Sequence, residues 1–199
     1  ISKLSSSGGQ LVASTFFGGS SNDGLNNSSK LAANITNLAR KSFLAANGSV
    51  PINDKSNFFL LIDNLRYDQW KILQPIIEQW FTIDEESTFC SILPTATQYS
   101  RNSIFSGLTP LDISKRFPHL WKNDHEEGGK NLHEKEFLED QMQRLGLTSN
   151  KMVYHKVVKQ QYGDKLVQQF NNLLQNDLNV IVYNFVDMLS HSKTDMDMI

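Results

Sequence analysis

Hydrophobic and polar positions change their pattern near residue 55. From there apolar runs alternate with helical periodicities. Positions 57–62, Asn57-Phe58-Phe59-Leu60-Leu61-Ile62, form a near-continuous apolar run, which predicts a strand buried on both faces. Positions 65–80 bring Leu73, Ile76, Ile77 and Trp80 onto one helical face, with Pro75 expected to kink the helix. A second strand is predicted at 88–93 and a second helix at 98–106, closed by Gly107. Residues 108–130, with Pro110, Pro118 and Gly128-Gly129, read as irregular. A helix over 131–145 has Gly146 placed as its cap. A third strand follows at 152–158, a third main helix at 164–174 and a fourth strand at 180–186. Strands alternating with helices predict an α/β layer fold with a mostly parallel sheet. Sites in such folds collect at the carboxyl ends of strands.

Residues 1–54 differ. They are rich in Ser, Asn, Gly and Ala, and stretches such as Ser5-Ser6-Ser7-Gly8-Gly9 read as flexible linker. Only 31–44 has weak helical spacing. The expected organisation is therefore an irregular segment, 1–54, and one folded region, 55–199.

Charge and cysteine usage narrow the function classes. A formal net charge of −2 over 199 residues argues against a protein that coats nucleic acid. The lone cysteine, Cys90, excludes an internal disulfide framework and fits a reducing, cytoplasmic compartment. With no Lys, Arg or His within three positions, it reads as a buried thiol and not as a nucleophile. No apolar run approaches the ~20 residues of a membrane span, and no secretory pattern opens the chain, so no membrane partner is expected. Gly-x-Ser-x-Gly, Gly-x-x-x-x-Gly-Lys and Gly-x-Gly-x-x-Gly are all missing, which disfavours Ser-hydrolase, ATP-driven and NAD-dependent chemistry.

The candidate chemistry lies at strand ends. In Pro94-Thr95-Ala96-Thr97-Gln98-Tyr99-Ser100-Arg101-Asn102, Thr97 falls where a strand gives way to a helix N-terminus, a junction that stabilises an anion. A hydroxyl also needs a base or a metal to attack at neutral pH. Asp63, directly after the first strand, suits helix capping and metal binding equally. Asp187 and His191 form Asp-x-x-x-His after the fourth strand, a donor pair that suits zinc. His119, His125, His133 and His155 read as surface or irregular positions, and residues 124–127 as a solvated acidic turn. Phe58, Phe59, Trp70, Trp80 and Phe89 read as core aromatics.

Taken together, these residues resemble the alkaline phosphatase superfamily. Within it they look like a PglZ domain of the kind found in PorX-type response regulators of Bacteroidetes. The resemblance covers roughly 55–199 and is carried by 57–70, 94–107 and 180–197. It implies a three-layer α/β/α fold and a metal-dependent phosphoester hydrolase, a phosphodiesterase on nucleotide or oligonucleotide substrates. Thr97 would be the nucleophile, since the relatives' second threonine attacks, not the one matching Thr95. Asp63 and Thr97 would belong to one zinc centre and Asp187 and His191 to a second. Phosphodiesterase relatives carry an Asn three residues after the nucleophile; here that position is Ser100, and Asn102 or Ser100 would substitute, with Arg101 a further candidate contact to phosphoryl oxygen. The relatives complete their two zinc sites with an Asp-His-Gly segment further along, so this chain reads as a truncated fragment expected to bind zinc weakly and to be inactive. The resemblance further implies an upstream receiver domain and leaves a homodimer open. The competing expectation is a catalytically weak regulatory module of a signalling protein.

Overall fold

The computed structural model describes residues 2–6, 9–15, 56–86, 92, 96–123, 125–148, 151–184 and 186–188; for 2–6, 9–15, 84, 85 and 97 it describes the backbone alone. The chain divides into two compact units, one formed by 1–17, 52–87 and 150–199, the other by 18–51 and 88–149.

The first unit is built on a sheet of β1 (Ser2–Ser6), β2 (Gly9–Thr15), β3 (Asn57–Ile62), β4 (Thr82–Glu86), β5 (Met152–Val157) and β6 (Leu178–Tyr183). The strand order is β4-β1-β2-β3-β6-β5. β2, β3, β6 and β5 run parallel to one another, and β1 is antiparallel to both of its neighbours. The mostly parallel sheet matches the expectation from the alternating pattern. Phe59, Leu61, Val180 and Val182 are buried in the two central strands. The alternate residues of β3, Phe58, Leu60 and Ile62, are only half-buried. The apolar run is thus fully covered on one face and partly on the other.

Two strands fall in the segment expected to be linker. Leu4 lies opposite Leu11, and Leu11, Val12 and Ala13 align with Phe58, Phe59 and Leu60. Pairing with β3 supplies partners to a backbone whose own composition specifies no strand, since sheet propensity depends on neighbours more than on the residue itself. β4 was equally illegible: Thr82-Ile83-Asp84-Glu85-Glu86 is polar and acidic. Among the described residues it pairs only with β1, and charge suits such an edge. The strand expected at 88–93 lies outside the described residues except for Ile92, which is buried.

Among the described residues the helices of this unit are α1 (Tyr67–Ile77) and, after those of the second unit, α5 (Gln160–Gln168) and α6 (Phe170–Leu173). Pro75 sits inside α1, near its end. The expected inward face of α1 is corrected. Trp70 is its buried residue, while Leu73, Ile76 and Trp80 are exposed, Trp80 to 77 %. One large indole fixed in the interior sets the helix rotation, whatever the weaker periodicity of the aliphatic positions. In place of one helix over 164–174 the chain breaks at Gln169, and Phe170 stacks on Phe58 with ring centroids 5.3 Å apart. His155, expected on a surface or irregular segment, stands in β5, half-buried and 2.9 Å from the Tyr162 hydroxyl; burial holds its pKa below the usual value.

A buried amide network fixes the amino ends of β3 and β6. Asn179 Nδ2 donates to Ser56 Oγ at 2.6 Å and to the Leu173 carbonyl at 2.9 Å, and Asn176 Nδ2 donates to Asn179 Oδ1 at 3.1 Å. Ser56 Oγ in turn donates to the Asn176 carbonyl at 2.6 Å. Polar groups at this depth need such partners.

The second unit contains α2 (Thr97–Ser106), α3 (Pro110–Arg116) and α4 (Glu134–Arg144) around Ile104, Phe105, Ile113, Phe137, Leu138 and Met142. The region expected to be irregular holds α3. Thr109 Oγ1 accepts from the Asp112 N–H at 3.2 Å, and Pro110 takes the first helical position, where its missing donor costs nothing. α4 ends as expected, with Gly146 at φ 75°. The Leu147 and Gly146 amides close on the Met142 and Gln143 carbonyls, the paired bonds of a glycine-terminated helix. Asp140 joins Arg116 and Arg144, each at 2.6 Å. No helix among the described residues is long and apolar enough to cross a membrane.

Candidate functional site

Parallel pairing puts the ends of three strands at one level: Ile62 and Val157 both pair with Tyr183. The next residue after β3 is Asp63. Its N–H donates to the Tyr183 carbonyl at 3.1 Å, and only 4 % of it is exposed. Asn64 then takes φ 61°, a left-handed turn that Asn tolerates better than most side chains. The N-cap of α1 is Arg66. Asp63 thus lies three residues before the N-cap position of α1.

β6 stops at Tyr183, earlier than the expected 186. Asp187 consequently lies not on the strand but on a helical turn, where the Met188 N–H donates to the Asn184 carbonyl at 3.1 Å. Asp63 and Asp187 thus follow the carboxyl ends of two adjacent parallel strands. His191, the partner expected for Asp187, lies outside the described residues. Among the described residues no group of three or more His, Cys, Asp or Glu is arranged to hold a metal. The donors present, two carboxylates at one end of the sheet, are of the type that divalent cations accept, and a carboxylate as buried as Asp63 requires compensation by a cation or hydrogen bonds.

In the second unit Thr97 opens α2 as its first helical residue, after Ala96 as N-cap. The helical half of the expected junction is present; the strand half, with Thr95 and Cys90, lies outside the described residues. Ala96 brings no side-chain acceptor to the first turn, where a helix end favours an anion.

Ser100, Arg101 and Asn102 are buried, 2, 2 and 3 % exposed. Ser100 Oγ donates to the Ala96 carbonyl at 3.2 Å. Arg101 Nε and Nη2 donate to the two carboxylate oxygens of Glu134 at 2.7 and 2.6 Å. Asn102 Nδ2 donates to the Lys130 carbonyl at 3.2 Å, and Asn102 Oδ1 accepts from Asn131 at 3.1 Å. All three side chains thus engage protein groups. At the other end of α2, Gln141 donates to the Phe105 and Ile104 carbonyls at 2.7 and 3.1 Å with its amide in the orientation these acceptors require, and Arg144 donates to the Ser106 carbonyl. Glu134 escaped sequence reading because His133-Glu134-Lys135-Glu136 resembles a solvated helix start; no local signal marks one of its acids as buried. His119 and His125 are exposed, and His133, directly before Glu134, has its Nδ1 3.1 Å from Glu136.

No curated protein matches the chain. Its sheet of mostly parallel strands with helices between them is consistent with an alkaline phosphatase-like α/β fold, and the match in sequence covers β3 to β6 and helices α1 to α6 but not β1 and β2. Over residues 47–199, which include Asp63, Thr97, Asp187 and His191, the chain matches the BREX system PglZ alkaline phosphatase-like domain, and it belongs to that family.

Proposed function

We propose that this domain serves a metal-dependent phosphoester hydrolase, a phosphodiesterase acting on nucleotide or oligonucleotide substrates. The observation that carries this reading is Asp63, buried at the carboxyl end of β3 beside the strand that leads to Asp187. By the sequence resemblance, two zinc ions would be held by these donors, Asp63 and Thr97 at one centre and Asp187 and His191 at the other. When bound, they would make the Thr97 hydroxyl nucleophilic near neutral pH and offset charge developing at phosphorus. Thr97 Oγ1 attacks phosphorus and gives up its proton to solvent, the bond to the leaving oxygen breaks, and that oxygen takes a proton from solvent and departs as an alcohol. Water then releases the phosphoryl group from Thr97. The N-terminus of α2 contributes its dipole to the same charge.

The family's description associates such domains with BREX systems. The host proposed from the sequence resemblance is a cytoplasmic response regulator with a receiver domain upstream, with homodimerisation proposed alongside it. A second reading is a catalytically weak regulatory module. It is favoured by Ser100, Arg101 and Asn102, whose side chains engage protein groups and not an open face of α2.

The test is hydrolysis of a chromogenic phosphodiester by the full-length protein with added zinc, beside Thr97→Ala and Thr97→Ser. The hydrolase reading expects turnover that needs metal, disappears in Thr97→Ala and persists in Thr97→Ser. Equal inertness of wild type and Thr97→Ala with zinc bound would leave the regulatory module.

A further inference from the structure

The helix that begins at Thr97 is tied to α4 and the segment before it at both ends, and the ties near Thr97 are charged and buried. Arg101 comes one turn after Thr97, about 6 Å along the axis. Its guanidinium meets Glu134 through two parallel hydrogen bonds, with side chains 2 % and 1 % exposed. Asn102 is bound to Lys130 and Asn131 immediately before α4. A fork-to-fork contact of this kind fixes direction as well as distance, which a single point charge does not.

We propose that Glu134 is a positioning residue for the reaction at Thr97: through Arg101 it fixes the first turns of α2. The proposal rests on the phosphoesterase reading above. Removing the carboxylate leaves a guanidinium charge in the interior, which must reach water or pull the helix with it. Either response shifts the first turn of α2, and Thr97 with it. A displaced nucleophile raises the barrier and leaves ground-state binding of the phosphoester intact, so the loss belongs to kcat and not to KM.

The test measures kcat and KM for bis-nitrophenyl phosphate at saturating zinc in the full-length protein. The variants are Glu134→Gln, Glu134→Asp and the double variant Arg101→Met with Glu134→Leu. Asn179→Ala, in the other unit, serves as a control for lost stability alone. Glu134→Gln is expected to lower kcat about 10- to 100-fold with KM within about twofold, and Glu134→Asp to recover most of that loss. The double variant removes both charges together, so it folds even where Glu134→Gln does not, and it is expected to keep the low kcat. Wild-type kcat in the double variant, an unchanged kcat in Glu134→Gln, or a loss no larger than that of Asn179→Ala would overturn the proposal. Turnover that depends on Thr97 but ignores Glu134 sinks this inference alone; turnover that survives Thr97→Ala sinks the phosphoesterase reading and this inference with it.

Discussion

The backbone N–H of Asp63 donates to the carbonyl of Tyr183 at 3.1 Å, so the residue after β3 is held against the last residue of β6. The anchor is main-chain and does not depend on the carboxylate. Asp63→Ala is therefore expected to keep the sheet, with unchanged circular dichroism, and to lose about 100-fold or more of metal-dependent hydrolysis together with one bound metal equivalent. Full metal content and activity in Asp63→Ala would remove Asp63 from the proposed centre.

Two glycines in left-handed conformation give a comparison. Gly146, at φ 75°, has nothing within 4 Å of an added Cβ, so Gly146→Ala should cost only the conformational strain, about 1 kcal/mol. Gly107, at φ 62°, would place a Cβ 2.7 Å from the Gln141 amide. Gly107→Ala must also displace the group that caps the end of α2, and is expected to cost roughly 2–3 kcal/mol. Urea unfolding of the two variants measures the difference; equal costs would mean that Gln141 yields freely.

Asp140 provides a pH dependence. Burial pushes its carboxyl up, but hydrogen bonds and charge from Arg116 and Arg144 together hold it below the ordinary 3.8. A depressed folded pKa adds stability that is present above the unfolded value and is lost as pH falls through the folded one. Asp140→Asn should thus destabilise the protein at pH 7, and the gap from wild type should narrow as pH falls below about 4. Thermal melts across that range measure it; a gap constant with pH would contradict the ion-pair account.

Asn179 is fully buried within β6 and holds Ser56, Asn176 and the Leu173 carbonyl. Asn179→Ala is expected to cost about 2–4 kcal/mol, because it strands polar groups in the interior as well as opening space. Thermal unfolding is the measurement, and a melting temperature within a degree of wild type would show that the network has no such weight.

The periodic elements were legible. β3, α2 with Gly107, α4 with Gly146, and the alternation that makes a mostly parallel sheet all follow from local spacing and capping residues. α3 was missed, because Pro110 reads as a breaker, whereas behind Thr109 it takes the first position of a helix. The strands at 2–6, 9–15 and 82–86 were not legible, because their pairing is supplied by distant neighbours and not by their own residues.

The amino-acid sequence by itself determined the alternation of β3, α1, α2, α4, β5 and β6 and the placement of Asp63 at a strand end and Thr97 at a helix start, since hydrophobic period, caps and turn residues act over a few positions. Only the tertiary structure decided that Trp70 and not Trp80 enters the interior, that Asp187 lies on a helical turn beyond β6, and that Arg101 meets Glu134. These depend on which surfaces face each other after collapse. Burial decides between a solvated acid and an ion pair, and burial arises from residues far apart along the chain.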